Sequence, residues 1–466
     1  MFLLLIGRVI QVLLTVALIR LATTLLDPAE YGTWILLQTT ASLFVLFGIS
    51  PFGLYLNRHV IDWQERGLLP AGFKGYTGYL ILFSLCMTGV SCLLVQFGLL
   101  RFADLSMWQV SLLVCLLMIA QTFHQTWVPA LNFLGDRKGF VLGTSAGILL
   151  TIGMASGLYF LGFQGVAPWV LSVAIGFIIS TFIFIPSSWY RPLGKDTMSF
   201  FRQLDLRDVL AFSGPLFLTT AFGWGQTQGY RLVVENKVGL AEFGKFAAGY
   251  SVVAGLFGAL EGVISSFFQA KYFQNINANK NVNHSTELSQ IWKVTLYPYA
   301  IAGSFLYLVS PEISFIFLGK KFTDDVSWLS LVAVSEGGRL LLNLLSVNYY
   351  GQKKTHILII PQLVGVILTV GYMLYDKSLS FYDIIWALGS GYLAACVILF
   401  LSDLKTYLAS SLIRSALVAL AIGGIFILLG TGIAFYAQGL TLVALTSCLG
   451  LVFILPYLKQ HLRGEK

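Results

Sequence analysis

The chain has 466 residues, of which 57% are hydrophobic and 11% are charged, and its mean hydropathy is +0.81. Soluble domains carry about 25% charged residues, so this composition excludes an ordinary soluble enzyme. The formal net charge of +8 is explained by basic loops on one side of a membrane and does not indicate a nucleic-acid partner.

Fourteen apolar stretches are long enough to cross a membrane, because a spanning helix needs about 20 apolar residues. They lie at 2–25, 32–56, 75–98, 108–131, 139–163, 168–188, 208–234, 242–267, 291–318, 326–350, 356–375, 384–402, 412–436 and 439–458. Neighbouring stretches can be divided in more than one way, so we predict an all-α integral membrane protein with 12–14 transmembrane helices. The first stretch lacks a basic leader and a small-residue cleavage site, which predicts a retained helix.

Lysine and arginine residues indicate the orientation, because short cytoplasmic loops carry an excess of both. The loops after the even-numbered spans and the C-terminal tail hold 19 of them when Lys293 and Arg414, at the adjoining span ends, are included, whereas the opposite loops hold five. We therefore expect a multi-pass protein of the cytoplasmic membrane with both termini in the cytoplasm.

Two short motifs recur at nearly the same distance along the chain. Residues 29–32 (AEYG) match 241–244 (AEFG) at an offset of 212, and 132–138 match 348–354 at an offset of 216. The offset contains six spans, an even number, so both copies have the same orientation in the membrane.

This repeat predicts two six-helix lobes around a central cavity, of the kind in which transporters place a substrate between moving halves. The lobes are expected at 1–190 and 208–402, joined by a cytoplasmic linker at 191–207. Two further helices and a cytoplasmic tail occupy 403–466. The alternative is a duplication that serves stability alone.

Polar residues recur inside several predicted spans at spacings of three, four or seven, which places them on one helix face. The stripe in span 7 consists of Trp224, Gln228, Arg231 and Glu235, and the stripe in span 10 consists of Glu336, Arg339, Asn343 and Tyr350. A charged residue at the bilayer centre costs about 2.5–3.5 kcal/mol on insertion scales. Arg339 lies near the middle of its span and is therefore expected to face a cavity, a partner or a ligand. The predicted substrate-binding residues are Arg8, Arg20, Arg231, Arg339, Gln228, Trp224, His124 and Asn343.

Several of these residues have an alternative interpretation. Arg339 is one turn from Glu336 and can pair with it instead of a ligand. Arg20 and Arg231 lie near the outer ends of their spans, where a long side chain can extend to the interface. His124 stands among glutamines and suits packing as well as proton transfer. The glycine-rich segment 223–228 suits helix packing as well as sugar binding.

Acidic residues inside the spans are few, and Glu261 and Glu336 are the candidates for ion coupling. An interior with more cations than anions suits an anionic substrate. The segment 239–245 is similar to a phosphate-binding loop, but Phe246 replaces the required Ser or Thr. The five cysteines lie inside apolar spans, so no disulfide or metal site is expected. We predict no enzyme activity, no catalytic residue and no cofactor.

Three segments resemble polysaccharide exporters of the multidrug/oligosaccharidyl-lipid/polysaccharide (MOP) superfamily. They are 20–32 at the end of span 1, 311–322 at the end of span 9, and 349–354 after span 10. Within that superfamily the chain most resembles Wzx-type flippases, which move undecaprenyl-diphosphate-linked oligosaccharides across the bacterial inner membrane.

The resemblance implies alternating access and a cationic cavity in which Arg8, Arg339 and Arg231 hold the diphosphate. It implies transport of an O-antigen, capsule or exopolysaccharide repeat unit by a monomer, surrounded by membrane lipid, beside a polysaccharide polymerase and glycosyltransferases. Tyr230 stands where members often carry an acidic residue, which argues against cation coupling at that position. The alternative is a cation-coupled, MATE-like multidrug exporter. A membrane polymerase or ligase is less favoured, because the outer loops are short.

Overall fold

The computed structural model is helical, and the residues that it describes contain no β-strand. These residues are 2–49, 60, 63–97, 102, 105–186, 189, 217–264, 272, 284–352, 354–409, 412–439 and 441–450. Among them, eleven helices are long and apolar enough to cross a membrane. The prediction of an all-α integral membrane protein is confirmed.

Each of the fourteen predicted stretches contains a described helix. The first six are α1 (Phe2–Leu25), α2 (Pro28–Phe44), α3 (Leu69–Gln96), α4 (Met107–Phe133), α5 (Arg137–Phe160) and α6 (Val166–Phe184). The next six are α7 (Tyr230–Val238), α8 (Leu240–Ile264), α9 (His284–Phe317), α10 (Leu329–Gly351), α11 (Ile359–Tyr375) and α12 (Phe381–Ser402). The short α13 (Leu404–Ala409) precedes α14 (Leu412–Tyr436) and α15 (Thr441–Gly450).

Two spans contain a π-helical turn, in which backbone hydrogen bonds run from residue i to i+5. Helix α2 continues through such a turn at Val45–Ile49. A second π-helical turn, Gly225–Gly229, follows helical residues 217–224 and leads into α7. Turns of this kind are rare and occur frequently at functional sites.

The chain divides into two compact units. The first contains Met1–Trp224 and Gly239–Gly244, and the second contains Gly225–Val238 and Lys245–Lys466. The predicted linker at 191–207 and the end of the predicted tail lie outside the described residues. The lobe boundaries given by the repeat stay a prediction.

Several helices begin at a capping box, in which the first side chain and the residue three positions later bond each other's backbone. At the start of α2, the Glu30 carboxylate accepts a hydrogen bond from the backbone N–H of Asp27. Ser380 and Asp383 form the same motif at α12, and Ser106 begins α4 in this way. These caps fix where the spans begin.

Large apolar side chains are exposed along many of the helices. Leu13, Leu82, Leu393 and Leu417 are each more than half exposed, on α1, α3, α12 and α14 respectively. A soluble monomer rarely exposes contiguous apolar surface of this kind, whereas lipid solvates it.

The two copies of the repeat motif meet at their glycines. A β-carbon on Gly32 would overlap the carbonyl oxygen of Leu240, and one on Gly244 would overlap the carbonyl oxygen of Pro28. The backbones of α2 and of the first turn of α8 are therefore in direct contact. Glycine permits this approach because it has no side chain.

Candidate functional site

A cluster of charged and polar side chains lies inside the second unit, between α8 and α10. Glu336, Arg339 and Asn343 follow one another on α10 at spacings of three and four, so they share one face of the helix. Glu261 reaches them from α8. Three of these four residues were grouped by their spacing in the sequence, and the fold adds the fourth.

Arg339 is held by two carboxylates. Its Nε atom donates a hydrogen bond to Glu336 Oε2 over 2.7 Å, and its Nη1 atom donates to Glu261 Oε2 over 3.0 Å. The Asn343 amide donates to the other oxygen of Glu261 over 2.7 Å. The alternative interpretation, that Arg339 pairs with Glu336, is confirmed, and Glu261 forms a second ion pair with it.

The two carboxylates differ in their surroundings. Glu336 is 1% exposed, and its second oxygen accepts a hydrogen bond from the Tyr250 hydroxyl on α8. The ring of Tyr230, on α7, lies 6.4 Å from that of Tyr250. Glu261 is 22% exposed, and Arg339 is 19% exposed. The cluster therefore has a closed end at Glu336 and an accessible end at Glu261.

The ionised cluster carries two negative charges and one positive charge. Removing one partner of a buried ion pair leaves an uncompensated charge and costs about 3–5 kcal/mol. Each charge here is also hydrogen-bonded, which is the condition under which buried charges persist. The sequence predicted an interior with more cations than anions, whereas in this cluster the carboxylates outnumber the guanidinium group.

The arginines predicted in span 1 belong to the first unit, and neither has a carboxylate partner among the described residues. The Arg8 Nη1 atom donates a hydrogen bond to Gln11 over 3.2 Å, and its guanidinium carbon lies 5.7 Å from the centre of the Phe140 ring. Arg20 is half-buried, and its Nη1 atom is buried with no hydrogen-bond partner in the part of the chain that the structure describes. Their predicted role in substrate binding stays a prediction.

His124 is buried in the first unit between α4, α5 and α6. Its Nδ1 atom lies 3.0 Å from the Thr181 hydroxyl, which itself donates to the carbonyl oxygen of Phe177 over 2.7 Å. The hydroxyl has one proton, so the histidine must donate from Nδ1. Its ring also stacks on Phe177 with centroids 4.7 Å apart. These contacts support the packing interpretation of His124.

The polar stripe of span 7 was predicted for a regular α-helix. The π-helical turn at Gly225–Gly229 separates Trp224 from Arg231, so the α-helical spacing does not apply across it. Trp224 donates a hydrogen bond to the Ser42 hydroxyl over 2.9 Å, within the first unit. Gln228 and Arg231 are half-buried in the second unit.

Tyr250 was missed in the sequence, and Gln226 was included only as part of the segment 223–228. Tyr250 precedes Glu261 by eleven residues, about three helical turns, so the spacing rule places both on one face of α8. Gln226 is fully buried in the π-helical turn, and neither its amide nitrogen nor its amide oxygen has a hydrogen-bond partner among the described residues. No spacing signal marks Gln226, because its burial depends on contact with Gly365 and Gly391.

No family model and no curated protein matches the chain. It is similar to a solved structure of the lipid II flippase MurJ in an inward closed conformation, with a TM-score of 0.69 and 15% identity over 98% of this chain and 99% of that one. It is also similar to an inward-facing multidrug resistance MATE family transporter of the MOP superfamily, with a TM-score of 0.62 and 13% identity over 87% and 99%. A third similar structure is that of MATE in complex with MaD3S, with a TM-score of 0.59 and 14% identity over 88% of this chain and 95% of that one.

The chain shares the fold of these three proteins. The first of them is a flippase and the second is a transporter. Identities of 13–15% establish the shared fold alone. Within the described ranges, no group of three or more His, Cys, Asp or Glu residues is placed to hold a metal ion.

Proposed function

We propose that the chain is a flippase that moves an undecaprenyl-diphosphate-linked oligosaccharide across the bacterial inner membrane by alternating access. The proposal is supported by the fold, which it shares with a lipid II flippase over nearly the whole of both chains. The segments that resemble Wzx-type flippases support it independently. A Wzx-type substrate would be an O-antigen, capsule or exopolysaccharide repeat unit.

The observation that carries this proposal is the environment of Arg339. Its guanidinium group lies inside a membrane-spanning helix and is fixed at Nε by the buried Glu336. Its Nη2 atom has no hydrogen-bond partner among the described residues, and the side chain is partly accessible. A planar guanidinium group with accessible N–H groups matches the oxygens of a phosphate.

The remaining predicted residues belong to the same proposal. Arg8, Arg20 and His124 from the first six-helix lobe, and Trp224, Gln228, Arg231 and Asn343 from the second, are proposed to contact the headgroup or the sugars. The lobes at 1–190 and 208–402 are proposed to move against each other. A polymerase and glycosyltransferases are the proposed partners, and both termini are placed in the cytoplasm.

A double variant, Arg339→Gln with Glu336→Gln, tests the proposal because it removes both members of the most buried pair and leaves only the accessible carboxylate of Glu261 charged. The measurement uses proteoliposomes containing an undecaprenyl-diphosphate-linked disaccharide with a fluorescent NBD group, and dithionite bleaches the outer leaflet. The wild type should bleach beyond the outer-leaflet fraction. The variant should flip at least about tenfold more slowly, because a hydrogen bond to a charged group contributes about 1.5–3 kcal/mol.

The matched control is Lys245→Gln with Asp324→Asn, which neutralises an accessible ion pair of the same unit. This control should flip like the wild type. Wild-type flipping in a folded Arg339/Glu336 variant would remove Arg339 from the mechanism. Bleaching that stops at the outer leaflet with the wild type would overturn the flippase proposal.

A cation-coupled multidrug exporter is the second candidate, and the excess of carboxylates in the cluster favours it. MATE transporters share the fold. In that case Glu261→Gln and Glu336→Gln should each abolish efflux of the cationic dye ethidium, because the carboxylates bind the coupling cation. The Arg339/Glu336 double variant would then lose ethidium efflux, while the lipid-linked disaccharide would not be moved by any form.

A further inference from the structure

The two counter-ions of Arg339 are held in unequal ways. Glu336 is closed off from solvent and engaged on both oxygens, by Arg339 and by Tyr250. Glu261 is accessible, and it is engaged by Arg339 and by the neutral amide of Asn343. A substrate that approaches Arg339 from the accessible end therefore meets Glu261 first.

The two terminal nitrogens of the Arg339 guanidinium group, Nη1 and Nη2, can both donate hydrogen bonds to one anion. Nη1 donates to Glu261, and Nη2 has no partner among the described residues. With Glu261 in place, an anion can reach half of this pair. If Glu261 leaves, both donors face the accessible side and form the fork that binds two phosphate oxygens at once. Glu336 keeps the Nε atom throughout.

We propose that Glu261 is the exchangeable counter-ion of Arg339, displaced from Nη1 when a diphosphate headgroup binds, whereas Glu336 is its permanent counter-ion. This inference rests on the proposed function and adds which carboxylate must leave Arg339 before both of its terminal nitrogens can bind the diphosphate. Asn343 acts as a positioning residue, because its bond to the other oxygen of Glu261 holds the displaced carboxylate nearby. Glu261 therefore determines how strongly the site binds anions.

The test measures binding of farnesyl diphosphate to the purified full chain in nanodiscs by titration calorimetry at pH 8. Glu261→Gln should tighten binding about tenfold, because a hydrogen bond to a charged group is about twice as strong as one to a neutral group. Glu312→Gln, on α9, makes the same charge change and should bind like the wild type.

The results distinguish a failure of the proposed exchange at Glu261 from a failure of the flippase proposal. If the wild type binds and folded Glu261→Gln binds no more tightly than Glu312→Gln, the exchange is wrong while the flippase proposal stands. If no form binds farnesyl diphosphate, the diphosphate site and the proposed function both fail. Should Glu261→Gln not fold, Glu261→Asp replaces it: the carboxylate is one methylene shorter, holds Arg339 less well, and must also tighten binding.

Discussion

The two units hold their basic side chains in different ways. In the second unit, Arg339 is fixed between two carboxylates. In the first unit, Arg8 and Arg20 have no carboxylate partner among the described residues. Arg8 uses an amide and an aromatic ring, and one nitrogen of Arg20 is buried without a partner.

A buried arginine is therefore not always available to a ligand. A guanidinium group between carboxylates is well held, but an anion must displace one of them before it can bind both terminal nitrogens. A guanidinium group that contacts neutral groups is available at once, but it depends on water or a ligand for compensation. The sequence separates these arginines by their depth in the span, whereas the structure separates them by whether their partners are charged.

The largest effect should come from removing one arginine from each class. Arg339→Ala leaves Glu336 buried without its counter-ion, so the free energy of unfolding should fall by about 3–5 kcal/mol. Arg8→Ala removes bonds to neutral groups and should cost about 1 kcal/mol. Thermal unfolding of both variants in the same detergent measures the difference. Adding Glu336→Gln to Arg339→Ala should restore most of the loss, and equal losses in the two single variants would end the comparison.

An intermediate effect is expected at Gln226, a buried and uncharged residue of the second unit whose amide has no hydrogen-bond partner among the described residues. A buried unsatisfied amide costs about 1–3 kcal/mol. Gln226→Met, which is of similar size and apolar, should therefore raise the unfolding temperature. Gln228→Met, at a half-buried position two residues later, is the control and should change it less. A lower unfolding temperature for Gln226→Met would mean that the amide has a partner in the membrane.

The smallest effect is expected for an accessible ion pair. Lys245 and Asp324 are 3.4 Å apart and are 27% and 72% exposed. Exposed pairs contribute about 0.2–1 kcal/mol. Lys245→Ala should therefore lower the free energy of unfolding by less than about 1 kcal/mol, and raised salt should reduce the difference further. If Lys245→Ala lost as much free energy of unfolding as Arg339→Ala, the exposure of an ion pair would not determine its contribution to stability.

The sequence predicted the helical spans because twenty apolar residues in a row have few alternatives in a bilayer. It also grouped Glu336, Arg339 and Asn343, since their spacing places them on one face whatever surrounds the helix. It could not join Glu261 to them, because that contact depends on how α8 packs against α10. The sequence analysis also assumed α-helical spacing through 225–229. The backbone forms a π-helical turn there, and no residue pattern predicts it.

Residues 29–32 and 241–244 have similar sequences, and each segment ends in a glycine. The contact between Gly32 and Gly244 gives a steric reason for glycine at both positions. Any larger residue at one position would meet main-chain atoms that belong to the other copy of the motif. A substitution at either glycine would therefore push apart the main chains of α2 and α8, however small the new side chain is.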